Sequence, residues 1–99
     1  MSRYDVYPNP SGSGYLLDVQ ADILQALNTR VVVPLLPLAE VPKPAKTLNP
    51  VFDIGGKPHA MVTQYIAAIP DRELQSPTNS LQRQHDDIVA AIDFLFHGF

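Results

Sequence analysis

Three histidines, His59, His85 and His97, are the side chains best able to hold a metal or move a proton near neutral pH. A zinc site draws three or four His, Cys or acidic ligands together, and none of the three histidines has such companions close by in a chain that lacks cysteine. His85 stands beside Asp86 and Asp87, where a metal or acid–base role can be imagined. A partly buried histidine hydrogen-bonded to its surroundings accounts for the same residues. Nucleophilic catalysis finds no support: there is no Gly-x-Ser-x-Gly elbow and no lysine-bearing phosphate loop, and Gly12 and Gly14 beside Ser11 and Ser13 read as turn formers. The expectation is a protein that catalyses nothing and carries no metal or cofactor.

Binding chemistry is better represented, and it lies at the end of the chain. Phe94, Phe96, His97 and Phe99 crowd the last turn of a predicted helix, where they cannot all face one core. Aromatic groups left exposed near a terminus form binding surfaces, because they offer much apolar area on stiff side chains. Packing of this turn against a second copy is the alternative. Gly98 predicts a helix stop that leaves Phe99 and the carboxylate to project. Asp86 and Asp87 suit the positive end of the helix dipole, whereas Asp93, one turn from the other end, opposes it.

The elements that would position these groups follow from apolar period and turn residues. The six side chains Leu81, His85, Ile88, Ile92, Leu95 and Phe99 recur every three or four residues and fill a stripe roughly 80° wide, which predicts an amphipathic helix over the last twenty residues, capped by Asn79 or Ser80. Before it come short strand signals: 4–7, 15–20, 30–34 ending near Pro34, 51–54, and a run from His59 to Ala67. Gly55-Gly56 between the last two is the strongest hairpin signal. Residues 8–14, 39–49 and 71–79 read as loops, and Asp22 to Leu27 as one loose helical turn or an exposed loop. Many strands followed by one helix predict a mainly β antiparallel domain with a helical appendage.

Ninety-nine residues suffice for one domain spanning 1–99 around one core. At 45% hydrophobic and 17% charged, the chain is apolar for its size, so part of its surface is expected to meet a partner or a second copy. Ten acidic against seven scattered basic residues give a net charge of −3, which argues against direct binding of nucleic acid. No apolar run is long enough to cross a bilayer or to act as a secretory signal, and the expected location is the cytoplasm.

Segments spread along the chain are familiar in combination. Asp18-Val19-Gln20-Ala21-Asp22-Ile23-Leu24, Arg30-Val31-Val32-Val33-Pro34-Leu35, Leu48-Asn49-Pro50 leading to Ile54-Gly55-Gly56, Met61, Thr63, Ala68-Ile69-Pro70 and the ending Ala91 to Phe99 resemble, in order and spacing, the CcdB family. Its members are toxins of toxin–antitoxin modules that poison bacterial DNA gyrase, some of them in plasmid maintenance. The resemblance implies an SH3-like barrel of the CcdB/MazF type with a C-terminal α-helix, assembled as a homodimer. It implies binding to the gyrase A subunit, trapping of the gyrase–cleaved DNA complex, and neutralisation by a CcdA-like antitoxin. Carried over by position, the gyrase-binding residues would be Ile23, Leu24, Asp93, Phe96, His97, Gly98 and Phe99. Three positions depart from the best-known members: His97-Gly98-Phe99 stands where they end in Trp-Gly-Ile, so that His97 replaces Trp and Phe99 replaces Ile, and Asp93 stands where they have Asn. The MazF and Kid endoribonucleases share the implied fold, and Arg30 would then be the arginine expected in an RNA-cleaving cleft. A degenerate relative that binds antitoxin without harming gyrase is the third reading.

Overall fold

In the computed structural model, which describes residues 1–98, seven strands form one antiparallel sheet curled into a nearly closed barrel, and a C-terminal helix packs on it. The strands are β1 (Asp5–Pro8), β2 (Tyr15–Asp18), β3 (Thr29–Pro37), β4 (Val51–Ile54), β5 (Lys57–Met61), β6 (Ala67–Pro70) and β7 (Asn79–Ser80). They run β4-β5-β3-β2-β1-β7, with β6 also on β3. The barrel stays open between β4 and β7, where Asp53 faces residues 79–84 across a groove of about 440 Å³. The mainly β fold with a terminal helix agrees with the sequence reading.

The expected hairpin forms as predicted. Ile54 pairs with Lys57, leaving Gly55 and Gly56 as a two-residue turn with φ of 61° and 83°. Both angles lie in the left-handed region, and such a turn matches the right-handed twist of the flanking strands. Gly14 is required for another reason: a Cβ there would lie 2.2 Å from the Leu35 carbonyl oxygen of the neighbouring strand β3.

Two strand boundaries differ from those read in the sequence. β3 does not stop near Pro34 but continues to Pro37. On one edge it pairs with β6 up to Val32 and with β5 from Leu35, so Pro34 sits where the partner changes. Its carbonyl accepts the Val62 N–H on that same edge, which places its donorless nitrogen at a break between two partner strands. The run from His59 to Ala67 is likewise not one strand. It breaks into β5, a 3₁₀ turn at Thr63–Tyr65 and β6, letting the chain cross from one end of β3 to the other. The loop at 39–49 is less loose than expected, since its last residue, Asn49, is buried and donates to the Met61 carbonyl and to Gln64.

Alternation along the strands gives the sheet two buried faces where one core was expected. Val6, Leu17, Val33 and Leu35 join Phe52, Ile54, Met61, Leu81, Ile88 and Ala91 in the main core beneath the helix. Tyr7, Leu16 and Val32 point the other way, to a small cluster closed by Leu74 from the segment between β6 and β7. Each large apolar side chain buried in this way contributes about 1.5–3 kcal/mol.

The helix α1 (His85–His97) begins later than the capping signal suggests. Ser80 accepts the Gln82 N–H at 3.4 Å in a local turn, and neither the 3₁₀ turn at Gln82–Gln84 nor α1 has a side-chain cap. The stripe is also shifted. Leu81, Ile88 and Ala91 are buried with Ile92 and Leu95 at their margin, whereas His85 is exposed. Ala91 is a core residue that the apolar period does not mark, because a small side chain carries little signal, and that smallness allows the helix to lie close to the sheet.

Candidate functional site

Two exposed apolar prominences stand out from the barrel. The first is the 3₁₀ turn Asp22–Leu24 with its flanks: Ile23 is 90% exposed, and Leu24 and Leu27 about half exposed. Every residue from Asp22 to Thr29 is exposed, so this segment is held without a core of its own. The second is the end of α1, where Phe96 is 65% exposed and Phe94 is also accessible. Leu27 lay outside the sequence-derived set; a lone leucine in a short loop has no period to single it out.

The helix end is built mainly by local rules. Ile88 and Ala91 fix which face turns inward, so Asp93, Phe94, Phe96 and His97 must face outward. Gly98 ends the helix at φ 79°, its N–H donating to the Phe94 carbonyl at 2.9 Å. This left-handed cap is the stop expected at that position. Phe99 lies outside the described residues. At the other end of the helix, about 20 Å away along its axis, the buried Tyr4 hydroxyl and His85 Nδ1 are 2.6 Å apart. Burial pushes the Tyr4 hydroxyl above its ordinary range. Tyr4 has φ 73° and its backbone bonds to Asp18 and Leu81, so one strained residue ties β1 to the approach of the helix. A contact across eighty-one positions leaves no local pattern in the sequence.

The loop is built by tertiary bonds. The main-chain N–H of Arg3 donates to Asp22 at 2.8 Å, and the Asp71 N–H to the Asn28 carbonyl at 2.9 Å. The buried Gln20 donates to the Leu24 carbonyl at 3.0 Å. Arg3 thus holds the loop, while its neighbour Tyr4 meets the start of the helix and not its exposed end. The loop and the helix end are positioned by different parts of the molecule.

Arg30, the arginine that an RNA-cleaving cleft would need, is 1% exposed. Its Nε and Nη2 reach Asp18 Oδ2 at 2.8 and 2.6 Å, deep on the face that carries Tyr7. Burial pushes the Asp18 carboxyl up, against the opposing pull of the Arg30 guanidinium and the Gln20 N–H. A guanidinium sealed in this way cannot touch a phosphate. His59 is buried too, with Nδ1 2.9 Å from the Lys57 carbonyl and its ring edge-on to Tyr15. Among the described residues no group of three or more His, Asp or Glu could hold a metal ion, and no helix is long and apolar enough to cross a membrane.

With an exposed loop, an exposed aromatic helix end and a buried arginine in place, comparison with known families is decisive. The family model described as CcdB protein matches residues 3–98. The chain belongs to the CcdB family. Membership implies a toxin of the gyrase-poison kind from a toxin–antitoxin module, with a fold in which the terminal helix accompanies a nearly closed barrel. The CcdB match spans both prominences.

Proposed function

We propose that this chain is the toxin of a type II toxin–antitoxin module that binds the A subunit of DNA gyrase and traps its complex with cleaved DNA. It acts without catalysis, as a cytoplasmic homodimer, and is neutralised by a CcdA-like antitoxin. The gyrase-binding set is Ile23, Leu24, Asp93, Phe96, His97, Gly98 and Phe99. The observation that carries this reading is the 65% exposure of Phe96 on a helix end that the family match includes. An aromatic ring held in water by a rigid helix is an anchor for a partner, and a ligand that binds one conformer of an enzyme better than the others shifts its population without chemistry. A ribonuclease reading is disfavoured by the burial of Arg30 against Asp18.

The test is removal of residues 97–99. His97 and Gly98 are exposed and lie beyond the buried stretch of the helix, so thermal stability is expected to change little. Inhibition of gyrase supercoiling and stabilisation of cleaved DNA should fall more than tenfold, matching the loss of an interface anchor worth about 2 kcal/mol. A truncated protein that still traps cleaved DNA as well as the full chain would overturn the assignment.

A further inference from the structure

The loop that carries Ile23 and Leu24 has no buried residue in its 3₁₀ turn, yet it holds a defined conformation. Ordering each backbone residue is unfavourable and must be offset by bonds made to the rest of the molecule. Gln20 supplies them from beneath. It is 6% exposed; its Oε1 accepts the Val31 N–H at 3.1 Å and its Nε2 donates to the Leu24 carbonyl at 3.0 Å. That carbonyl also accepts the Leu27 N–H, so both of its lone pairs are used. The Gln20 main chain is fixed in turn, its N–H donating to Asp18 Oδ1 at 3.0 Å while Asp18 Oδ2 accepts from Arg30. A chain of bonds therefore runs from the buried ion pair, through one glutamine, to the peptide that bears an exposed leucine.

We propose that Gln20 is a positioning residue that presents Ile23 and Leu24 to the protein partner, with the Arg30–Asp18 pair as its foundation. This rests on the proposed gyrase-binding role of those two side chains. Gln20 itself never touches the partner. It lowers the ordering cost of binding by holding the loop in its bound form beforehand.

A double-mutant cycle on the full-length protein, with affinity measured for purified gyrase A subunit, separates positioning from general stability. Gln20→Met keeps the length of the side chain and removes both bonds, and should weaken binding about two- to tenfold, the worth of one or two hydrogen bonds. In that background Leu24→Ala should lose most of its effect, whereas Phe96→Ala should cost the same as in the unaltered protein. Equal costs of Leu24→Ala in both backgrounds would overturn the proposal. If Leu24→Ala and Phe96→Ala both leave gyrase binding unchanged, the partner assignment fails instead. The positioning role is then decided on the isolated protein, where Gln20→Met must speed amide exchange at Leu27 and leave Ile92 unaffected. Should Gln20→Met not fold, the unaltered protein decides: slow exchange of the Gln20 side-chain amide supports the bond to Leu24, and exchange at the rate of a free amide overturns it.

Discussion

The loop at 22–28 and the end of α1 present the same kind of surface, exposed apolar side chains, but they are held in place by different physics. The helix end needs its own hydrogen-bond ladder, an inward face set by Ile88 and Ala91, and Gly98 to stop it. The loop needs Arg3, Asp71 and Gln20, and through Gln20 a buried ion pair that lies outside the loop altogether. A local change should therefore disturb the first, and a distant one the second. An exposed residue can depend on a buried one without touching it.

The strongest way to break the comparison is Arg30→Ala. It leaves the Asp18 carboxylate buried without its counter-charge, which typically costs about 3–5 kcal/mol. Urea denaturation should show that loss, and amide exchange should quicken in the loop before it quickens in α1. Equal effects on both regions would mean that the pair supports the whole barrel rather than the loop.

Alkaline titration reaches the same face from another direction. The Tyr7 hydroxyl is fully buried and has no hydrogen-bond partner among the described residues. Burial, assisted by the Asp5 and Asp18 carboxylates, pushes it up to about 12. Because the folded value is the higher one, the unfolded chain ionises first as pH rises from about 10, and stability falls. The contribution is complete below pH 10 and lost as pH passes through about 12, a change of about 2–3 kcal/mol. Tyr7→Phe should remove this part of the alkaline loss, measured as stability at pH 9 and pH 12, and should cost little at neutral pH because no bond is given up.

The smallest expected effect belongs to the helix end. Gly98→Ala adds a methyl group with open space around it, so the cost is backbone strain at φ 79°, about 1 kcal/mol. It should appear as faster amide exchange over the last turn, with the loop unchanged. A shift in the loop would show that the two prominences are coupled.

Features governed by neighbours in the chain were legible from residue types. The Gly55-Gly56 hairpin and the helix with its stop at Gly98 each depend on interactions within a few residues, where propensity and period speak directly. Resemblance added the family, and the match over 3–98 bears it out. In the proposed gyrase-binding set, the aromatic end of the helix was marked by its own residue types, whereas Ile23 and Leu24 came through that resemblance alone, since nothing in their types distinguishes them from core residues.

Tertiary structure alone decided the rest. Pro34 could remain inside β3 because two different strands share that edge, a circumstance that a proline rule applied along one strand cannot contain. Arg30 became a buried counter-ion because strand register set it against Asp18, twelve positions away, and Tyr4 met His85 across nearly the full length of the chain. Composition and period encode which face of an element avoids water. Which polar groups end up opposite one another is fixed by register and packing, and those distances exist only after the chain has closed on itself.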